Sequence, residues 1–294
     1  MYFAIAHSAG KARAQVVQNR RQALHERRLA ATVERLLDAV FAEVAAHARH
    51  GVVDIDHIVD ARRGDLLKAI SEGYTRVGAA FFAAVEKAYA EHAATGRKTA
   101  VLSSDKPAKR ALIENKNGGL SKGPVGSRAG DFQAVETKGM ASEFWRAFHN
   151  WAHSDAFAEV KKINAATKTI LRRVVRREKD AGASYTVIAK AIADKAKQIN
   201  KKRAMKIART EVHRGSTYAV DEAVRSTRRQ FEREWVSMRD DRTRPEPGTN
   251  PPHNRWDHRA ANGQRRAMGV PFDVSGEKLM HPGDPNGSAA NVIN

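Results

Sequence analysis

The chain has 294 residues, 41% of them apolar, enough for a sizeable core and too many for a wholly disordered polymer. Lys and Arg number 52 against 33 Asp and Glu, a formal charge of +19 that points to a polyanionic partner, nucleic acid first and an acidic protein surface second. Cysteine is absent, which excludes disulfides, Cys-ligated zinc and thiol catalysis and is compatible with a reducing compartment. Aromatic residues make up only 6%, while Ala, Arg, Lys, Glu and Leu recur, the usage of a mostly helical protein. No apolar run approaches about 18 residues, so no transmembrane helix is expected. The first six residues are too short for a secretory signal, and a soluble protein made in the cytoplasm is expected.

Residues 11–49 contain neither Pro nor Gly, and Val33, Leu36, Val40 and Val44 recur at helical spacing beside Leu37 and Phe41. This predicts one long amphipathic helix ending at Gly51. Residues 54–71 and 74–94 predict two more, the second with Phe81, Val85 and Tyr89 as its apolar stripe. Residues 1–94 therefore read as an N-terminal helical region. Residues 95–139 mix Lys and Ser with five glycines between Gly118 and Gly130 and read as a flexible linker, mobile and protease-sensitive until a partner orders it.

Helical periodicity resumes at Ala141, with Phe144, Trp145, Phe148 and Trp151 on one broad face, and continues through Ile163, Ile170, Val174 and Val175 until Gly182. Ser184 is a candidate N-cap for a helix carrying Ile188, Ile192 and Ile199. Residues 201–229 read as a further helix with Ile207, Val212 and Val224, completing a basic helical region over 140–230. Beyond it, Phe231, Trp235, Val236 and Met238 suggest a strand, and seven of the nine prolines lie between Pro245 and Pro285. Residues 271–274 and 277–280 can pair as a hairpin across Ser275 and Gly276. The fold class expected is mainly α, with helical N-terminal and middle regions and a small α+β C-terminal module over 231–294.

Residues 161–244 hold 24 Lys and Arg against 10 Asp and Glu, most of the chain's positive surplus. Such a surface binds duplex DNA through phosphates without reading sequence, and the candidate contacts are Arg172, Arg173, Arg176, Arg177, Lys201, Lys202, Arg203 and Lys206. A merely solvated basic face is the competing reading. One stretch of helix is denser in polar groups: Arg209, His213 and Thr217 share a face, while Glu211 and Arg214 can pair at i, i+3. Asp240, Asp241, Arg242, Thr243 and Arg244 follow the predicted strand. A structural ion network is favoured here over a phosphate or metal site. His253, His258 and His281, with Asp240 or Asp241, invite zinc or manganese, and His253, Asn254, His258 and Asn262 invite an HNH-type nuclease. Their spacing forms no tight ligand pair, and no Walker loop, hydrolase elbow or dinucleotide loop is present.

Five separated motifs then occur in a telling order: Ile207-Ala-Arg-Thr-Glu211 on a helix, Trp235-Val on a strand, Asp241-Arg-Thr-Arg244, His258 with Asn262-Gly-Gln264, and Pro282-Gly-Asp-Pro-Asn-Gly-Ser288 ending in Val292-Ile-Asn294. Over roughly residues 161–294 this resembles the phage head-morphogenesis or minor head protein family, the Mu protein F-like group. The resemblance implies a low-copy structural protein of the virion, at the capsid interior or portal vertex, assembled in the host cytoplasm. Its implied partners are the portal protein, the major capsid or scaffold protein, and non-specific double-stranded DNA, with no membrane. It implies no enzyme activity and no cofactor. Family members commonly continue into a Cys-Arg-Cys segment, and some carry a Cys pair near the Asp-Arg-Thr motif. Here a Pro-rich stretch from Pro245 to Pro252 stands instead. The motif residues Arg209, Glu211, His213, Asp241, Arg242 and His258 are expected to form a structural polar cluster, with no catalytic residue and no bound metal. The alternative from another class is a metal-dependent nuclease or toxin-like enzyme carried in the particle.

Overall fold

Runs without an internal Pro lay down the helices, and in the computed structural model those among the described residues are α1 (Ser8–Arg49), α2 (Ile55–Ala61), α3 (Arg63–Ala94), α4 (Ala129–Asp180) and α5 (Tyr185–Ser226). The structure describes residues 8–94, 129–227, 232–237, 257–288 and 291, with helical side chains over 21–87 and 140–227. The protein is mostly helical, with two small hairpin-like sheets at the C-terminal end. Among the described residues, no helix is long and apolar enough to cross a membrane.

Four rods pack side by side: α1, α2 continued by α3, α4, and α5. Contacts such as Gln22 with Ser216 and Asp38 with Asn200 run α1 antiparallel to α5, and Arg203 with Thr167 does the same for α4 and α5. The helical regions on either side of residues 95–128 thus share one core. Its larger part joins Leu29, Val33, Ile70, Val77, Phe144, Phe148, Ala208 and Val212, and the other end gathers Phe41, Val44, Ile58, Leu171, Ile188 and Ile192. This is the up-and-down bundle that apolar stripes on four helices produce when each must bury one face.

Several boundaries differ from those expected. The break predicted at residues 72–73 falls at Arg62 instead, where Asp54 caps α2 by accepting from His57 N at 3.0 Å and Arg62 turns to Glu43 of α1 at 2.9 Å. Gly73 does not break α3 because it is where Leu29 packs, 3.2 Å from the position a Cβ would take. Of the linker expected over 95–139, residues 129–139 belong to α4, so Gly130 and Gly139 are absorbed into a helix, and 95–128 lie outside the described residues. The two helices expected within 184–229 are one. Asn200, a polar position resembling a break, is buried at 1% exposure and donates to Asp38 at 2.9 Å. Ser184 caps this helix as predicted, accepting from Val187 N.

The strand expected over 231–238 is the short β1 (Glu232–Glu234), antiparallel to β2 (Arg265–Ala267); Phe231 and Met238 lie outside the described residues. The expected hairpin is present as β3 (Phe272–Val274) and β4 (Glu277–Leu279). Its turn holds Ser275 at φ 55° and Gly276 at φ 81°, the two positive values that a two-residue type I′ turn demands. Trp235, Ala261, Phe272, Val274 and Leu279 make the small core of this module.

Close packing at one glycine gives a direct test. A Cβ on Gly78 would sit 2.5 Å from the ring of Phe148, which is fully buried and stacked against Phe144. Gly78→Ala should therefore lower stability by about 1–2 kcal/mol, overpacking outweighing the helix-propensity gain. Gly64→Ala, with open space around it, should be neutral or slightly stabilising. Urea midpoints of the two variants check this; equal effects would contradict the packing argument.

Candidate functional site

The C-terminal half of α5 departs from the apolar pattern: Glu211, Arg214, Ser216, Thr217, Asp221 and Glu222 are all buried. Polar groups buried this way each need a partner. Two interior networks supply most of them.

In the first, Arg214 lies at 3% side-chain exposure among three carboxylates from two helices. Its Nη1 is 2.9 Å from Glu159, 3.3 Å from Asp155 and 3.2 Å from Glu211, while its Nε donates to Gly283 O at 3.2 Å. The predicted i, i+3 pairing of Glu211 with Arg214 is observed. Tyr74, reaching across from α3, places its hydroxyl 2.6 Å from Asp155 Oδ2 and in hydrogen-bond contact with Glu211 Oε2. A hydroxyl carries one proton, and two ionised carboxylates cannot both accept it. A proton on Glu211 resolves this, because the chain Glu211 to Tyr74 to Asp155 then satisfies all three groups. Burial, opposed by Arg214 and reinforced by Glu159 and Asp155, raises Glu211 to about 7. Burial first, and then Glu211 and Asp155, push the Tyr74 phenol well above its ordinary range. The Arg214 guanidinium is penalised by burial, yet Glu211, Asp155 and Glu159 hold it charged.

The second network joins α5 to the C-terminal module. Arg233 on β1 is completely buried and reaches Asp221 of α5 at 3.3 Å. It donates to Met280 O and Val270 O, each at 2.6 Å, and lies 5.2 Å over the Phe272 ring. Beside it, Thr217 Oγ1 donates to Pro282 O at 3.1 Å and is 3.3 Å from the His281 imidazole. Gly283 closes the joint at φ 78°, where a Cβ would meet Arg214 and His213 at 3.5 Å. Burial lowers the pKa of both imidazoles, His213 to about 3, so both are neutral in the joint at physiological pH.

The expected polar cluster is therefore only partly assembled. Glu211 sits in the first network, and His213 borders the joint beside Gly283. Arg209 points to the other side of α5, with Nε 3.9 Å from Glu26 of α1. His258 is near enough for its charge to act on His213, and it also braces the C-terminal module, with Nε2 2.9 Å from Asn291 Oδ1 and its ring edge-on to Trp235. Asp241 and Arg242 lie outside the described residues. Thus the carboxylates facing the buried guanidinium groups are Asp155, Glu159, Glu211 and Asp221. The sequence reading missed Tyr74, Asp155, Glu159, Asp221 and Arg233. A signal existed for two of them: Asp155 and Glu159 interrupt the stripe Phe148, Ala152, Ala156, Val160, Ile163 on α4.

The basic candidates divide as well. Arg173, Arg176, Lys201, Lys202 and Lys206 are exposed. Arg172 is exposed but bonds Asp56 at 2.6 Å, and Arg177 pairs with its neighbour Glu178. Arg203 is a correction: it donates to Ile163 O at 2.8 Å and Thr167 Oγ1 at 2.7 Å, an interhelical tie rather than a free phosphate contact. Burial lowers its pKa to about 10.

Among the described residues, no group of three or more His, Asp and Glu side chains is arranged to hold a metal ion. Compared with family models, curated proteins and solved structures, the chain finds no match.

Proposed function

We propose that this chain is a phage minor head protein, a portal-associated structural component of the capsid interior that acts in head morphogenesis and in DNA packaging or ejection. It works without catalysis and contacts double-stranded DNA through phosphates. The observation that carries this reading is what the motif residues do. Glu211 belongs to the interior network, and Trp235 fills the module's core. Asn262 Oδ1 accepts from Ser237 N at 2.9 Å, while Gly263, at φ 83°, donates its N–H to Trp235 O at 2.7 Å. The carbonyls of Pro282 and Gly283 accept from Thr217 and Arg214. Residues that carry the family resemblance thus brace the module and the bundle, and two of them, Pro282 and Gly283, join the two, the work of a building part. The portal protein and the major capsid or scaffold protein are the proposed protein partners, and the virion is the proposed location.

The test is cheap. Incubated with supercoiled DNA and Mg²⁺, Mn²⁺ or Zn²⁺, the purified chain should retard the DNA without nicking it. With about six phosphates contacted, affinity should fall roughly a thousandfold between about 50 and 200 mM salt. Metal-dependent cleavage would replace this reading with the nuclease alternative, and density for the chain at the portal vertex of an assembled head would establish its place.

A further inference from the structure

Helix α1 carries a second concentration of arginine, remote in sequence from the basic middle region. Arg21, Arg28 and Arg35 recur every seven residues, so they follow one ridge of the helix, and all three are exposed. The ridge positions between them, Leu24, His25, Ala31 and Thr32, include no acid. At about 1.5 Å per residue the ridge extends about 21 Å. Two contacts fix its register with the antiparallel α3: Arg21 Nη1 donates to Ala80 O at 3.3 Å, and Leu29 packs on Gly73. That register sets His25 opposite the exposed Arg76, whose ion-pair partner is Glu72 at 3.4 Å. The His25 imidazole is held below its ordinary range by burial first, then by Arg28, Arg76 and Arg21. The guanidinium groups of Arg21, Arg28 and Arg76 therefore gather around the His25 imidazole along the groove between α1 and α3.

We infer that this groove between α1 and α3 is a binding site for the sugar–phosphate backbone of a nucleic acid, separate from the exposed lysines of α5. The inference rests on the DNA-contacting part of the proposed function and gives it a second surface. Grouped like charges call for an anionic partner, and the planar guanidinium matches paired phosphate oxygens. Spacing selects a polymer, because arginines about 10.5 Å apart along the ridge cannot all meet one small anion. The surroundings select nucleic acid over an acidic protein. A protein interface centres on aromatic and apolar anchors, whereas the ridge offers only Leu24, at 41% exposure.

The experiment measures binding of the full chain to a duplex of arbitrary sequence, by fluorescence anisotropy, across about 50 to 200 mM salt. The double variant Arg28→Ala, Arg76→Ala changes exposed residues only and should lower the slope of log K against log salt by about 2. The triple variant Lys201→Ala, Lys202→Ala, Lys206→Ala should lower it separately, by about 3. An unchanged slope in the arginine variant with a reduced slope in the lysine variant overturns the groove and leaves the DNA reading standing. Failure of the unmutated chain to bind the duplex overturns both. Arginine-dependent binding of polyglutamate without binding of the duplex also overturns the inference. A second readout needs no arginine variant: in the unmutated chain, the His25 imidazole signal, assigned with His25→Gln, should titrate at higher pH once duplex is added. An unmoved titration counts against the site.

Discussion

Glu211→Gln is expected to match the unmutated chain in stability near pH 4.5 and to exceed it by roughly 3 kcal/mol near pH 8. The sign follows from which state binds the proton. Glu211 titrates near 7 in the folded chain against an ordinary 4.5, so the folded state holds its proton more tightly. Its contribution to stability is fully present below about 4.5 and is lost as pH rises through about 7, where folding must bury an extra negative charge among Asp155 and Glu159. Glutamine removes that loss, and its amide can still donate to the Tyr74 hydroxyl. His213 and His281 work in the opposite direction: with pKa values depressed by burial, they favour folding above about 6.5 and oppose it at lower pH. The unmutated chain's own profile mixes these effects, so the informative quantity is the difference between the two proteins. Urea unfolding at several pH values measures it, and a difference that stays constant from about pH 5 to pH 8 would contradict the shared-proton arrangement.

The same network shows what the sequence made legible and what it hid. Helical periodicity is a local signal, so the existence of each long helix, the Ser184 cap and the Ser275–Gly276 turn could be read directly. Breaks were harder. Gly73 looks like punctuation until Leu29 is known to need its missing side chain, and Asn200 looks like a helix end until Asp38 is placed opposite it. The interior site was legible only within one helix. Glu211 and Arg214 are three residues apart, whereas Tyr74 and Asp155 reach them from helices far away in sequence. Charge counting likewise located basic segments without distinguishing Lys202, which faces solvent, from its neighbour Arg203, which ties α5 to α4. Family-like motifs pointed to the right stretch of α5, and the partners they suggested were drawn from nearby sequence rather than from the bundle.

Arg233→Met should cost about 3–5 kcal/mol, and the loss should be confined first to the C-terminal module. The methionine has the volume to fill the site over Phe272, so the cost is chiefly polar. Met280 O and Val270 O lose their charged donor, and Asp221 keeps only the exposed Arg225, at 3.0 Å. Asp221→Asn keeps a hydrogen-bond acceptor toward Arg233 and should cost less, about 1–2 kcal/mol. The four rods do not depend on Arg233: their core is built from α1, α3, α4 and α5, and Arg214 holds its carboxylates whether or not β1 is docked. Hydrogen exchange separates the two bodies. In the Arg233 variant, amides of residues 265–284 should lose protection while those of α4 and α5 near Leu171 and Ile192 retain it. If both lost protection together, the module would be part of the bundle's cooperative unit, and the joint through Arg233, Thr217 and Gly283 could not be the separable coupling that the geometry describes.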